Sequence, residues 1–449
     1  MTLPRYPAYK DSGVEWLGEV PVHWSTARIK DTTYLKGRVG WKGLTSDEYL
    51  DKGYAYLVTG TDFTGRWINW RECHFVDQPR YEDDPFIQLK NGDLLITKDG
   101  TIGKIALVRA LDRPACLNSG IFLVRPQRLY ITDYMYWVLS SMAFSIFNDL
   151  LSVGSTIRHL YQNVFERFVF PIPTAEEQQI ISFFLDRETS KIDALIAEQK
   201  NLIALLKEKR QAVISHAVTK GLNPDAPMKD SGVEWLGEVP EHWEVRRVKD
   251  VAALESGHTP SKQVPEYWEN CDIDWVSLND SKQLAVQDFI STTAVKISQL
   301  GLANSSARLL PTGAVVFTRD ASIGLAAITT KSMAVSQHLI AWCPTGKLEP
   351  MFLLRVVNAM AAFLDSFTFG ATIKTIGMGD IKRLVAPVPP MQEQLEIIEF
   401  LDRKIKQIDS LVYEAEHASN LLKERRSALI SAAVTGKIDV RGLVSQEAA

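Results

Sequence analysis

The chain has 449 residues, 46% of them hydrophobic and 23% charged, with a formal net charge of −4; that length predicts two to four domains, each able to bury a core. No run of about 18 uncharged apolar residues occurs, which excludes an apolar membrane-spanning helix, and the start, MTLPRYPAYK, lacks the apolar stretch of a secretory signal. The four cysteines, Cys73, Cys116, Cys271 and Cys343, form no CxxC pair, so the expectation is a reduced, cytoplasmic protein without a zinc site or disulfide framework.

In chain order, the first feature is KDSGVEWLGEVP at 10–21, followed by His23 and Trp24. The next, KGRVGWKGLTS (36–46), is Gly-rich and basic. Residues 28–45 carry Arg28, Lys30, Lys36, Arg38 and Lys42 against Asp31 alone, while acidic residues gather elsewhere, as at Glu82–Asp84. A chain that is acidic overall can still present a basic face, and Lys36, Arg38 and Lys42 are candidate nucleic-acid contacts. Short β-rich runs follow at Tyr54–Val58, Asp93–Thr97, Lys104–Val108 and Ile121–Val124, bounded by Gly, Asp and Asn. Between two of them lies TKDGTIGK (97–104), where Lys98, Thr101 and Lys104 suit the approach of a phosphate backbone. The plainer alternative is a tight hairpin. A helical stretch at Asp133–Leu150 leads to GSTIRHL (154–160), whose Thr156 and Arg158 are further candidates to grip a phosphate or enter a groove.

Pro171 and Pro173 end this segment, and Thr174 with Glu177 has the spacing of a capping box. Neither Gly nor Pro interrupts Glu176–Thr219. Apolar residues recur there with a heptad step, at Leu185, Ile192, Leu206 and Val213 and at Ile181, Leu195 and Leu202, which predicts a long helix with a coiled-coil seam.

The chain then repeats itself. KDSGVEWLGEVP returns at 229–240, and 10–31 against 229–250 gives 17 identities in 22 positions at an offset of 219 residues. Such an offset is too long for a solenoid repeat and means two copies of a whole domain. SGHTPSK (256–262) occupies the slot of the first Gly-rich loop but differs from it, so His258, Thr259 and Lys262 are candidates to contact a different target. β-rich runs come at Ile273–Ser277, Ala314–Thr318, Leu325–Ile328 and Leu339–Trp342, and a helical stretch at Met351–Phe367. TRDASIGL (318–325) answers TKDGTIGK and contributes Arg319 and Ser322; GATIKTI (370–376) answers GSTIRHL and contributes Thr372 and Lys374. The second long helix keeps the seam with Ile397, Leu401, Ile408, Leu411, Leu422 and Leu429. A single stripe of Leu and Ile cannot be buried alone, so the two long helices are expected to pair, antiparallel, through Ile181, Leu185, Ile192, Leu195, Leu206, Ile397, Leu401, Ile408, Leu411 and Leu422. Trp16, Trp24, Trp235 and Trp243 lie in the repeated block and are expected in the core or against a partner. Trp67, Trp70, Trp268 and Trp275 are unmatched and are expected to be buried, with nucleic-acid contact as the alternative.

The expected architecture is α+β. Two similar globular domains, at 1–173 and 223–389, alternate with long helices at 174–222 and 390–441, ahead of a disordered tail at 442–449. The helices pack as an antiparallel coiled coil and the whole is an internal repeat with approximate two-fold symmetry. No Gly-x-x-x-x-Gly-Lys-Ser/Thr loop, no Asn-Pro-Pro-Phe or Asp-Pro-Pro-Tyr methyltransferase motif, no acidic nuclease signature and no metal-ligand spacing of histidines occurs. Together these absences favour a binding module over a catalyst.

Three features carry a family resemblance: the doubled Gly-Val-Glu-Trp-Leu-Gly-Glu-Val-Pro block with its His-Trp (13–24 and 232–243), the loops around Asp99–Gly103 and Asp320–Gly324, and the Pro-x-Pro lead to Glu-Gln at Pro171–Gln178 and Pro387–Gln394. Over nearly its whole length the chain resembles the specificity subunits of type I restriction-modification systems. The resemblance implies that each globular domain is a target-recognition domain reading one part of a bipartite, asymmetric site in double-stranded DNA. It implies that the helices act as a ruler and that the scaffold binds two modification (methyltransferase) subunits, and with them restriction subunits. S-adenosylmethionine, ATP and magnesium would then belong to those partners and none to this chain, which would be non-catalytic. The competing expectations are a stand-alone DNA methyltransferase or nuclease with two recognition domains, and a coiled-coil adaptor that does not bind DNA.

Overall fold

The structure is a computed structural model and describes residues 3–38, 44–45, 48–151, 159–366 and 374–443. It divides into two compact units, Met1–Gln199 with His417–Ala449, and Lys200–Glu416. Each unit therefore holds one globular module together with part of both long helices, a division that follows contacts and not the order of segments along the chain.

In the first unit, an antiparallel sheet of four strands has the order Thr33–Gly37, Ile121–Pro126, Leu94–Thr97, Ile105–Leu107. Beside it, Ala55–Val58 pairs antiparallel with His74–Val76 and parallel with Ala115–Leu117. Two short ribbons frame the repeated block: Tyr9–Asp11 with Glu19–Pro21, and Ser25–Arg28 with Val169–Ile172. The second unit follows the same plan. Ala252–Ser256, Leu339–Pro344, Val315–Thr318 and Ala326–Thr329 pair antiparallel, and Phe289–Ile290 adds in parallel at the edge. Ile273–Val276 lies between Lys296–Ile297 and Ala334–Val335. The expected strands are thus present, trimmed by a residue or extended by two. Their central residues are buried on both faces because one face meets helices and the other meets the smaller sheet.

The helical stretch expected at Asp133–Leu150 is broken into Thr132–Leu139 and Met142–Leu151. At the break the Ser140 hydroxyl donates to Tyr136 O (2.7 Å) and the Ser141 hydroxyl to Val138 O (2.6 Å), side-chain bonds that compete with the helical ladder. Its counterpart divides at Met360, into Pro350–Ala359 and Ala361–Asp365.

The long helices span Ala175–Lys220 and Met391–Val434. Within the first unit, Ile181, Phe184 and Leu185 join one core with Ile430, Ala433 and Val434, while Asp193 accepts from Arg426 Nε at 2.8 Å. Rising numbers on one helix meet falling numbers on the other, so the pairing is antiparallel. The second unit shows the same: Ile214, Ala217 and Val218 share a core with Ile397, Leu401 and Ile405, and Arg210 Nε donates to Asp409 at 3.1 Å.

The seam departs from the expected heptad. Leu195 and Leu411 are 44% and 50% exposed, and Leu422 is half-buried, whereas Ile196, Ile405 and Ala415 are buried. The side chains that turn inward recur every eleven residues, at Ile181, Ile192, Ile203 (half-buried) and Ile214, and at Ile397, Ile408, Ser419 and Ile430. Eleven residues over three turns is close to the natural α-helical period, whereas a strict heptad drifts around a straight helix. The expected positions Ile181, Leu185, Ile192, Leu206, Ile397, Leu401 and Ile408 are buried as anticipated.

Each long helix is fixed to its module by a Glu-Gln pair. In the first unit Thr174 and Glu177 form the reciprocal cap, with Thr174 N donating to Glu177 Oε2 at 3.1 Å and Glu177 N donating to Thr174 Oγ1 at 3.2 Å. Glu177 Oε1 also meets His23 Nε2 at 2.9 Å and accepts from Trp24 Nε1 at 3.3 Å. Burial pushes the Glu177 carboxyl up, but the bonds from His23, Thr174 and Trp24 outweigh it and hold it below the usual carboxylate range. Gln178 accepts from Ile131 N and donates to the Leu129 and Pro173 carbonyls. In the second unit Glu393 holds His242 and Trp243 at 2.8 and 3.0 Å, and Gln394 bonds Glu349 N and the Lys347 and Pro389 carbonyls. The second helix ends at Gly436 in the left-handed region (φ 73°), where an added Cβ would lie 2.4 Å from Pro21; only glycine fits there.

Candidate nucleic-acid interface

The loop after Leu94–Thr97 is shaped by one hydroxyl. Thr97 Oγ1 donates to Thr101 O (2.5 Å) and accepts from Lys104 N (3.0 Å), closing a turn that leaves Thr101 and Lys104 exposed. Thr318 repeats this with Ser322 O (2.5 Å) and Leu325 N (3.0 Å), and Ser322 is exposed. Gly100 has φ 67°, and the matching Ala321 has φ 62°, a conformation that costs a residue with Cβ about 1–2 kcal/mol.

This turn is stitched to its neighbours in the same way in both units. Lys98 N donates to Gly120 O (2.9 Å) and Leu160 N to Lys98 O (3.0 Å). Correspondingly, Arg319 N donates to His338 O (3.0 Å), Ile376 N to Arg319 O (2.9 Å) and Ala321 N to Lys374 O (2.9 Å). The two loop pairs picked out in the sequence are therefore neighbours. Asp99 pairs with His159, and Asp320 with His338 Nδ1 at 2.7 Å. The same carboxylate is met by a histidine from a different loop in each half, a pairing that sequence alignment of the copies does not expose.

Among the candidate cations, Lys36 is exposed on its strand, with Nζ 5.9 Å from the Tyr34 ring. Lys98 is half-buried over the Phe122 ring at 4.9 Å, Arg319 is half-buried, and Lys374 is exposed. Arg38 is corrected by the structure: it is 2% exposed and donates from Nε to Leu117 O at 2.9 Å, a brace between strands and not a surface cation. Lys42, Thr156, Arg158 and Thr372 lie outside the described residues, as do residues 444–449 of the expected tail.

In the second unit the segment at 256–262 closes on the sheet. His258 N donates to Val335 O (3.1 Å), and a Cβ on Gly257 would lie 2.1 Å from that carbonyl oxygen. His258 and Lys262 are exposed and Thr259 is half-buried at the mouth of a cavity of about 730 Å³. The cavity is walled by Trp268 and Trp275 and bordered by Asn279 and His338. Trp275 and the paired Trp24 and Trp243 are buried as expected, but Trp67 is 39% exposed, with the Arg109 guanidinium 4.3 Å from its ring.

Two further residues, not singled out in the sequence, tie modules to helices. Arg66 bonds Asp133 at 2.6 Å and pairs with Asp186 of the first long helix. Arg355, 1% exposed, clasps Asp288 in bidentate fashion (2.7 and 2.5 Å) and lies 3.8 Å from Asp402 of the second. Asp186 and Asp402 match in the repeated Phe-Leu-Asp-Arg, but their arginines come from a loop and a helix respectively, so the repeat gave no signal for them. Among the described residues no group of three or more His, Cys, Asp or Glu side chains is arranged to hold a metal ion, and no helix is long and apolar enough to cross a membrane.

Two modules of one fold, each joined to antiparallel long helices and each presenting the same stitched loops with different side chains, define a duplicated recognition scaffold. The sequence profile described as type I restriction modification DNA specificity domain matches residues 21–205 and 240–413, and the chain belongs to that family. It is 24% identical over 440 residues to the type I restriction enzyme MjaVIII specificity subunit of Methanocaldococcus jannaschii, covering 94% of this chain and 95% of that one. To the EcoKI specificity subunit of Escherichia coli it is 20% identical over 435 residues, covering 94% and 90%. In fold it is similar to a chain from a structure of a type I R-M system (TM-score 0.71, 16% identity, 92% and 98% covered). It is also similar to the HsdS subunit of Thermoanaerobacter tengcongensis (TM-score 0.52, 16% identity, 93% and 98% covered).

Proposed function

We propose that this chain sets the DNA target of a type I restriction-modification complex. Each unit reads one part of a bipartite, asymmetric site, and the paired helices fix the gap between the parts. The scaffold docks two methyltransferase subunits and, with them, restriction subunits, in the cytoplasm. The chain itself is non-catalytic: S-adenosylmethionine, ATP and magnesium act in the partners.

The observation that carries this is the repeated loop stitching. The backbone bonds of Lys98 and Arg319 recur in both copies while the exposed side chains around them differ, as two readers of different words on one scaffold require. Lys36, Lys104, Lys262 and Lys374 are exposed cations suited to phosphates, which position the duplex without specifying it. Linking two weak readers makes the second contact intramolecular, a gain of about 10²–10⁴ in avidity that is lost when the gap is wrong. The test is long-read methylation mapping of a host carrying this chain with its methyltransferase subunit. One motif of two short, different words at a fixed gap is expected. Purified chain that methylates or cuts DNA by itself would overturn the proposal, as would partner-assembled complex whose DNA binding is insensitive to salt.

A further inference from the structure

The cavity of about 730 Å³ in the second unit has the build of a site in which a ligand is read. Two of its walls are Trp268 and Trp275, edge to face at 5.5 Å. Each indole N–H is already committed to backbone, Trp268 to Ser261 O and Trp275 to His258 O, so the rings are held rigidly. Asn279 stands on a single turn, Leu278–Asp280, locked by a capping box in which Ser277 N donates to Asp280 Oδ2 at 2.8 Å. Gln337 stands in the connection between Ala334–Val335 and Leu339–Pro344. Both amides are exposed and make no hydrogen bond among the described residues. Ser336, 0% exposed, borders the cavity with its hydroxyl buried beneath the surface and without a hydrogen-bond partner.

We propose that this cavity is where the second unit reads bases, with Asn279 and Gln337 as specificity-determining residues that recognise a purine edge. The proposal rests on the function proposed above. A carboxamide offers a donor and an acceptor side by side, which matches N6 and N7 of adenine in the major groove. Lys262, exposed at the mouth, supplies the adjoining phosphate contact. In the first unit Asn118, at the position matching Ser336, is spent internally: its amide donates to Tyr49 Oη at 2.7 Å and accepts from Ser119 N at 2.6 Å. The backbones agree there, Asn118 N donating to Val58 O and Ser336 N to Val276 O, each at 2.9 Å, while the side chains carried differ.

The experiment uses the full chain assembled with its methyltransferase subunit. Duplexes carry either the mapped motif or single-base changes in one word, and binding is followed by anisotropy for wild type, Asn279→Ala and Gln337→Ala. Neither side chain braces the fold, so unchanged melting temperatures are expected. Each variant should lose discrimination at one position of one word, about tenfold or more, with the other word and the gap unchanged. Variants that keep the wild-type discrimination ratio at every position overturn this inference and leave the proposed function standing. A wild-type complex that recognises no two-part motif removes both.

Discussion

Replacing Glu177 by Ala removes three things at once. The side-chain half of the reciprocal cap at the start of the first long helix is lost, while the backbone N–H of residue 177 still donates to Thr174 Oγ1. That loss costs about 0.5–1 kcal/mol, the lower part of the range for a lost cap. Trp24, 0% exposed, is left with an unpaired indole N–H, which costs about 1–3 kcal/mol. His23 loses its partner at 39% exposure, where water replaces it at little cost. Because one carboxylate serves all three, the losses overlap, and about 2–4 kcal/mol is expected in total. Glu177→Gln keeps the shape and one acceptor and should cost roughly half as much. The assay is hydrogen exchange with mass spectrometry, read on peptides covering Ser25–Arg28 and Val169–Ile172, beside urea unfolding. Glu176→Ala, one residue away and exposed, is the control. Protection should fall by about two orders of magnitude in that ribbon for Glu177→Ala and remain unchanged for the control. The equivalent ribbon of the other unit, Glu244–Arg247 with Val385–Val388, should respond instead to Glu393→Ala. If Glu177→Ala resembles Glu176→Ala, the carboxylate is not the pin that holds module to helix.

Glu177 is held below the usual carboxylate range by His23, Thr174 and Trp24 against the opposing effect of burial. Asp439 is lowered by the Arg441 guanidinium. Asp274 is lowered by Lys331, the Thr293 amide and Lys296 against the same opposition from burial. Folded-state values below unfolded ones add stability that is full above the unfolded carboxylate pKa of about 4 and is lost as pH falls through the folded values. Urea midpoints should therefore drop on acidification below about pH 5, less so in Glu177→Gln. Arg355→Met leaves Asp288 without its bidentate partner and should lower second-unit stability by about 2–4 kcal/mol, read by hydrogen exchange across Pro350–Ala359. Ala321→Gly relieves a positive φ and should stabilise the fold by about 1 kcal/mol or slightly less, read as a higher melting temperature. Inserting 22 residues, two periods of the seam, after Ala197 and again after Leu421 adds about 33 Å of helix, roughly one turn of duplex. Methylation mapping should then show the same words with a gap about 10 base pairs longer, whereas 11-residue insertions, about half a duplex turn, should abolish recognition.

The sequence alone determined the duplication, the two long helices, their need to pair and the strands of each module, because these follow from local signals. Those signals are an identical twelve-residue block, an uninterrupted apolar period, and short β-rich runs between Gly and Asp. The loops at 97–104 and 318–325 were legible as a pair for the same reason. Which face of a helix turns inward was not: Leu195 and Ile196 are adjacent and equally apolar, and only the opposing surface selects Ile196. Arg38 read as a surface cation because its charge is visible in sequence, while its acceptor, Leu117 O, is brought up by a strand far along the chain. The clamps at Arg66 and Arg355, the His-Asp pairs and the cavity around Asn279 and Gln337 likewise join residues distant in sequence. Tertiary structure decided these because a hydrogen bond or an ion pair depends on distances of a few ångströms that no spacing along the chain encodes.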